Sequence, residues 1–302
     1  MLDPFPVPPL VRDAIQPLAD LLHLGTLPLH AHEVLAGFAL YTFIDSVLSP
    51  AISARLLPST YAKFSARTKL NWNMHVTSFV NATFLSVAAS YVLYYDAERL
   101  HETWEQRIWG YTGAGAMVQA FGAGYFLWDL QMCAMNVRTL GVLDLLHAIV
   151  GLAISILGFR PFGLYYGIQY ALIELSTPFV NIHWFLNKLG RAGSKLQIVN
   201  GAILIVVFAS CRLVLGTYLT IVFSRDAWSA LHAPAPGWTK YDYSPGQEPI
   251  VLQHEAAWWL VAAFLISNGV VMSLSAFWFT KMIATVGRHM SSATEEKKFS
   301  HD

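Results

Sequence analysis

Charge is scarce in this chain. Asp, Glu, Lys and Arg make up 13% of its 302 residues and balance to a formal net charge of zero, against about 25% in a soluble globular domain. That balance removes the electrostatic case for a nucleic-acid partner. Cysteine is nearly absent. Cys133 and Cys211 both sit in or beside apolar stretches, so no disulfide framework is implied. No secretory leader is expected either. The opening M-L-D-P-F-P-V-P-P has neither a basic nor an apolar leader region, so the first apolar helix is expected to act as the targeting signal. The sequence holds no H-E-x-x-H, C-x-x-C, Walker loop or G-x-S-x-G. No internal repeat is visible, which argues against an inverted-repeat transporter.

Apolar and aromatic residues fill the space that charge leaves. The chain is 55% hydrophobic, with 10 Trp, 13 Tyr and 18 Phe, a composition suited to lipid-facing surfaces and interfacial belts. A spanning helix needs about 20 mostly apolar residues. Seven segments approach this, near 29–49, 72–95, 110–132, 140–158, 161–183, 198–224 and 255–280. The expected fold is therefore an all-α polytopic membrane protein of about seven transmembrane helices. The fourth and fifth segments, split only by R-P-F-G near residue 160, are expected to form a tight helical hairpin.

Four regions follow from this pass: an N-terminal segment 1–28, a first transmembrane helix and loop 29–64, a main helical domain 65–285, and a polar tail 286–302 expected to be disordered. Residues 10–24 place Leu10, Ala14, Leu18, Leu21 and Leu22 near one face, predicting a short interfacial helix interrupted at Pro17. Loop 225–254 carries Pro234, Pro236, Gly237, Pro245, Gly246 and Pro249 beside Trp228, Trp238, Tyr241 and Tyr243. It reads as a floppy connector, with a lid as the alternative. Asn81-Ala-Thr83 is a glycosylation sequon, but it lies within the second span and should be unusable.

Loops bearing Arg55, Lys63, Arg67, Lys69, Arg138, Lys188, Arg191 and Lys195, together with a basic tail, fall on one side. Arg12, Arg99, Arg107, Arg160, Arg225 and Lys240 fall on the other. The positive-inside rule then puts the C-terminus in the cytosol. With that orientation, buried polar residues can be sorted by depth. Asp45, His75, Asp129, Asp144, His147, Asn181 and His183 come out in the cytosolic half, and Glu174 and Arg212 near the centre. Intramembrane ionisable groups are rare and are functional candidates by default. The set His75, Asp129, Asp144, His147, Glu174, Pro178, Asn181, His183 and Arg212 therefore predicts a cytosol-facing polar cavity, with Arg212 pairing with Glu174 or Asp129. Each residue also has a plainer reading. The histidines could bond backbone, Asp45 and Asp144 could be solvated helix-end residues, and Arg212 with Glu174 could only fix helix register.

The block E-L-S-T-P-F-V-N at 174–181 is the sharpest signal. Glu174, Pro178 and Asn181 would share a helical face. Pro178 has no N–H, which predicts a free carbonyl on Glu174. No metal is expected: a site could be drawn from His75, His147, Asp129 and Glu174, but no local ligand spacing supports it. Runs G-A-G-A at 113–116 and G-A-G-Y at 122–125 read as small-residue helix packing.

Together these residues resemble the TLC-domain family, which includes the ceramide synthases. The likeness rests on Trp72-Asn73 with Ser78, then Gly124, Tyr125, Phe126 and Asp129, then His147, then Glu174, Ser176, Thr177, Pro178, Phe179, Asn181 and Trp184. It covers about residues 65–285 and is closer to transmembrane proteins with a TLC domain than to ceramide synthases. Ceramide synthases carry a His-His pair and a later His-Asp. Here Leu146 precedes His147, and Glu174 has no His-Asp beside it.

The resemblance thus implies a role in lipid homeostasis, binding or sensing a phospholipid or sphingolipid, in the endoplasmic reticulum or a related endomembrane. Expected partners are that lipid and the bilayer, with homo-oligomerisation left open and no cofactor. The alternative is a ceramide-synthase-like N-acyltransferase using acyl-CoA. His147 would be its general base on a long-chain amine, Glu174 or Asp129 would orient it, and Arg212 or Asn181 would stabilise the oxyanion. A seven-helix receptor or transporter is suggested by span count alone.

Overall fold

The computed structural model describes residues 1–96, 103–234, 237–253 and 256–299, with side chains left undescribed at 253 and 286–299. Arg99 and Pro236, used above for orientation and for the loop, lie outside the described residues, as does the end of the tail, 300–302. Twelve helices and one small hairpin account for the described chain. In order they are α1 (Pro9–Leu22), α2 (Leu27–Leu56), α3 (Pro58–Ala62), α4 (Ala66–Tyr95), α5 (Trp104–Trp109), α6 (Gly113–Met135), α7 (Val137–Leu140), α8 (Val142–Leu157), α9 (Leu164–Ala171), α10 (Thr177–Lys188), α11 (Lys195–His232) and α12 (Trp258–Phe299). Strands β1 (Trp238–Tyr241) and β2 (Ile250–Gln253) pair antiparallel, Trp238 opposite Gln253 and Tyr241 opposite Ile250.

Local chemistry sets several of these boundaries. Pro9 opens α1 where no N–H is required. Ser65 and Ser194 accept hydrogen bonds from Thr68 N and Gln197 N, capping α4 and α11. Thr103 and Gln106 form a capping box at α5. Contrary to the sequence expectation, α1 runs unbroken through Pro17. The carbonyl that Pro17 cannot satisfy belongs to Asp13, which is exposed and can be solvated outside the fold. Leu10, Leu18, Leu21 and Leu22 all face outward.

Among the described residues, four helices are long and apolar enough to cross a membrane: α2, α4, α11 and the 258–285 part of α12. The sequence-based figure of seven is not reproduced by that measure. Helix α6 has the length, at 23 residues, but its Gly, Gln119 and Asp129 dilute its apolar character. Helix α8 is apolar but only 16 residues long. The stretch 164–188 is divided among α9, a 3₁₀ turn (Leu172–Ser176) and α10. Nor do α8 and α9 form the tight hairpin expected at R-P-F-G. Helix α8 lies on α6 and α12, whereas α9 lies on α4, α6 and α11. The backbone of α12 continues helical to Phe299, where the sequence predicts a disordered tail. No proline interrupts residues 285–299, and Ala, Met, Glu and Lys there are strong helix formers.

Small residues let the central helices approach. Gly37 of α2 faces Gly124 of α6, and a Cβ on Gly124 would meet Val34 O at 2.6 Å and Phe38 N at 2.8 Å. The loop read as a floppy connector is instead folded. Helix α11 extends to His232, the β-hairpin follows, and Tyr243 and Leu252 are buried in one cluster with Val7, Leu29 and Tyr111. Aromatic burial supplies the order that the prolines and glycines appeared to deny. The extended N-terminal segment is seated under this hairpin. Asp3 N donates to Tyr243 O at 2.7 Å, and Ser244 Oγ donates to Asp3 O at 3.1 Å.

Candidate functional site

The E-L-S-T-P block makes a turn tighter than an α-helix. Residues 172–176 are 3₁₀, and the N–H of Thr177 donates to the carbonyl of Glu174. The carbonyl expected to be free is therefore satisfied. Pro178 removes the i+4 donor, and the chain shortens the loop to use i+3 instead. Pro178 then occupies the first turn of α10, where an N–H would be redundant.

Opposite this turn, residues 209–215 of α11 widen into a π-turn that carries Arg212. The two irregularities face each other. Arg212 Nη2 meets Glu174 Oε1 at 3.2 Å and Thr177 Oγ1 at 3.0 Å, while Nε reaches Ser176 Oγ at 3.0 Å. Thr177 Oγ1 also donates to Glu174 Oε2 at 2.7 Å. Arg212 is buried and Glu174 nearly so. A charge pair in such a place is retained only with further hydrogen bonds, and Ser176 and Thr177 supply them.

A second link runs from α4 to α10. His75 Nδ1 lies 2.6 Å from Asn181 Oδ1, and Asn181 Nδ2 donates to Ser78 Oγ at 3.3 Å. The imidazole stacks on Trp184 at 4.1 Å, and Tyr125 of α6 interacts with Ser78. Farther along α10, Gln197 bridges Asn187 Oδ1 at 2.7 Å and His183 Nε2 at 3.5 Å. Asn200 closes the joint by donating to Phe179 O at 2.9 Å.

Asp129 is buried on α6, with the Cys133 thiol 3.7 Å from Oδ1. His147 on α8 is packed edge-on between Phe126 and Trp278, and its buried Nδ1 has no hydrogen-bond partner. Glu174 lies within electrostatic range of Asp129, His147 and Tyr125. These side chains converge, but neither carboxylate bonds the imidazole. Asp144 lies within electrostatic range of Asp129 and Cys133. It is exposed in the first turn of α8, where an acid stabilises the helix N-terminus.

Buried charge is not confined to this side of the molecule, as the depth sorting implies. Tyr111 precedes α6, and Asp129 lies 18 residues farther on, about 27 Å along a helix. At the Tyr111 end, His30 sits between Glu33 Oε2 at 2.6 Å, Tyr111 OH at 2.6 Å and Asp3 Oδ2 at 3.4 Å. All four are buried. Burial, then the neighbouring Glu33 carboxylate, push the Asp3 carboxyl up to about 7. Another buried group joins Arg107 and Tyr166 to Asp226, at 2.6 and 2.5 Å. A third joins Asn268 to Thr220 and Tyr170, at 2.6 and 3.0 Å. The sequence did carry a signal for the first of these: H-A-H-E at 30–33 opens an apolar helix. Asp3 could not be foreseen, because only the folded N-terminal segment brings it there. Among the described residues, Asp3, His30 and Glu33 are the group whose ligand atoms come close enough to share a metal ion.

Residues 71–284 match the model of the TLC domain shared by TRAM, LAG1 and CLN8 proteins. An uncharacterized TLC domain-containing protein of Schizosaccharomyces pombe is 35% identical over 95% of this chain and 88% of its own length. Topoisomerase I damage affected protein 4 of Saccharomyces cerevisiae is 29% identical over 66% of this chain and 71% of its own. TLC domain-containing protein 4-B of Danio rerio is 28% identical over 75% and 80%. The matched region contains Glu174, Arg212, His75, Asn181, Asp129 and His147, and excludes Asp3, His30 and Glu33.

Proposed function

This chain belongs to the TLC-domain family, and from that premise we propose that it binds or senses a membrane lipid and so acts in lipid homeostasis. The observation that carries the reading is the Arg212–Glu174 pair, buried between a 3₁₀ turn and a π-turn and extended by Ser176 and Thr177. With the His75–Asn181–Ser78 link it forms a polar seam inside an apolar helical protein. Such a seam can take the headgroup of a phospholipid or sphingolipid while the surrounding apolar helices take its chains. The proposed setting is the endoplasmic reticulum or a related endomembrane, with several membrane passes and the C-terminus in the cytosol.

Native mass spectrometry of the detergent-purified protein tests this. A defined lipid should be retained by wild type and lost from Glu174→Ala. Asn181→Ala, which spares the ion pair, should weaken retention as well. Unselective bulk phospholipid in all three would overturn the reading.

One observation favours a second reading, acyl transfer from acyl-CoA to a long-chain amine: the buried His147 Nδ1 is not spent on a hydrogen bond, as a general base requires. Against it, Glu174 is engaged by Arg212 and Thr177 and does not orient His147. Purified protein incubated with sphingoid base and acyl-CoA decides the matter. Product abolished by His147→Ala would promote this reading, and no product would remove it.

A further inference from the structure

We propose that Asp3, His30 and Glu33 form a binding site for one divalent transition-metal ion, Zn²⁺ foremost, which clips the N-terminal segment to the start of α2. This site is separate from the polar seam and does not depend on the lipid reading.

The argument begins with charge. Two carboxylates and one imidazole are buried together, at 1%, 2% and 0% exposure for Asp3, Glu33 and His30. The charges acting on Asp3 are those of Glu33 and His30. With both carboxyls ionised, the group would carry a surplus negative charge in a dry place even with the imidazole protonated, and a buried charge is neutralised by a proton, paired, or coordinated to a metal. A divalent ion cancels both carboxylates.

Geometry agrees. One ligand atom from each residue lies within 4.8 Å of the others. His30 Nδ1 to Asp3 Oδ2 is 3.4 Å, close to the ~3.3 Å that separates ligands around a tetrahedral ion with bonds of ~2.0 Å. His30 Nδ1 to Glu33 Oε2 is 2.6 Å, which must open slightly to admit the ion. His30 and Glu33 are three residues apart on one helical face. Two carboxylate oxygens, Asp3 Oδ2 and Glu33 Oε1, are buried with no hydrogen-bond donor from outside the group, the two carboxyls facing each other instead.

The surroundings are also those of a metal ligand. His30 Nε2 lies 2.6 Å from Tyr111 OH. With its proton on Nε2, His30 donates to Tyr111 and turns the Nδ1 lone pair toward the carboxylates, the arrangement that fixes a ligating histidine. Asp3 is held in turn, since its other oxygen accepts from Phe5 N at 2.8 Å and its backbone is tied to Tyr243 and Ser244. An imidazole with two carboxylates suits Zn²⁺ better than Mg²⁺ or Ca²⁺, which prefer all-oxygen sites.

The test uses the full chain, purified in detergent without metal-affinity resin, loaded with ZnCl₂ and dialysed. Elemental analysis should find one zinc per chain in wild type, and zinc should raise its Tm. Glu33→Gln and Asp3→Asn, close in shape to the residues they replace, should lose the zinc and its effect on Tm while the protein remains folded. Tyr111→Phe should keep the ligands but bind about tenfold more weakly. Wild type without zinc after loading would overturn the proposal. So would equal zinc content in folded Glu33→Gln and Asp3→Asn. A Tm that follows pH but ignores zinc would identify a proton shared between the carboxyls instead, and would overturn it as well.

Discussion

Arg212 and Glu174 meet at 3.2 Å across two stretches of backbone that are not α-helical. The π-turn sets the guanidinium opposite the 3₁₀ turn, and the 3₁₀ turn brings Ser176, Thr177 and the Glu174 carboxylate to one place. Removing one partner leaves the other buried and unmatched. Arg212→Met is expected to destabilise by about 3–5 kcal/mol. Glu174→Gln should cost less, because Glu174 keeps 19% of its side chain exposed and Gln can still accept from Thr177. The double variant should cost less than the sum of the two. Thermal unfolding in detergent measures all three.

The His75–Asn181 bond joins α4 to α10 at 2.6 Å. A double-mutant cycle with His75→Phe and Asn181→Leu should return a coupling of about 1 kcal/mol. Additive losses would mean that the two side chains do not act on each other.

Two glycines of α6, two residues apart, should respond oppositely to the same change. A Cβ at Gly122 would find only Leu85 at 3.7 Å, an ordinary contact, so Gly122→Ala should stabilise by up to about 1 kcal/mol through helix propensity. At Gly124 it would press on the backbone of Val34 and Phe38. Gly124→Ala should therefore cost about 1–3 kcal/mol, since α2 must move away. Denaturation midpoints of the two variants check the contrast.

Asn81 belongs to a sequon but is 1% exposed within α4. It should carry no glycan. Protein from a eukaryotic host should show no mobility shift on endoglycosidase treatment, and Asn81→Gln should leave its mass unchanged.

Much of the helical content was legible because apolar runs in a charge-poor chain have few other uses. The polar candidates at 174–181 and Arg212 were legible for the same reason, since a charge stands out against such a background. For Asp144 the sequence left two readings open, a cavity residue or a solvated helix-end residue, because helical spacing puts it near His147 but does not reveal that the first turn of α8 is open to solvent. The hairpin at 238–253 was missed because prolines and glycines mark turns without saying what the aromatics between them will pack against. His30 and Glu33 were passed over because their partner, Asp3, lies far away in sequence.

Composition and local motif, then, determined that this is an all-α chain with membrane-length helices, and that E-L-S-T-P-F-V-N is its unusual segment. Only the tertiary structure decided which polar groups face one another: Glu174 with Arg212, His75 with Asn181, and Asp3 with His30 and Glu33. The reason is physical. Periodicity and residue type are properties of one element, whereas a buried polar contact depends on the register between elements, and that register is set by close approaches such as Gly37 against Gly124.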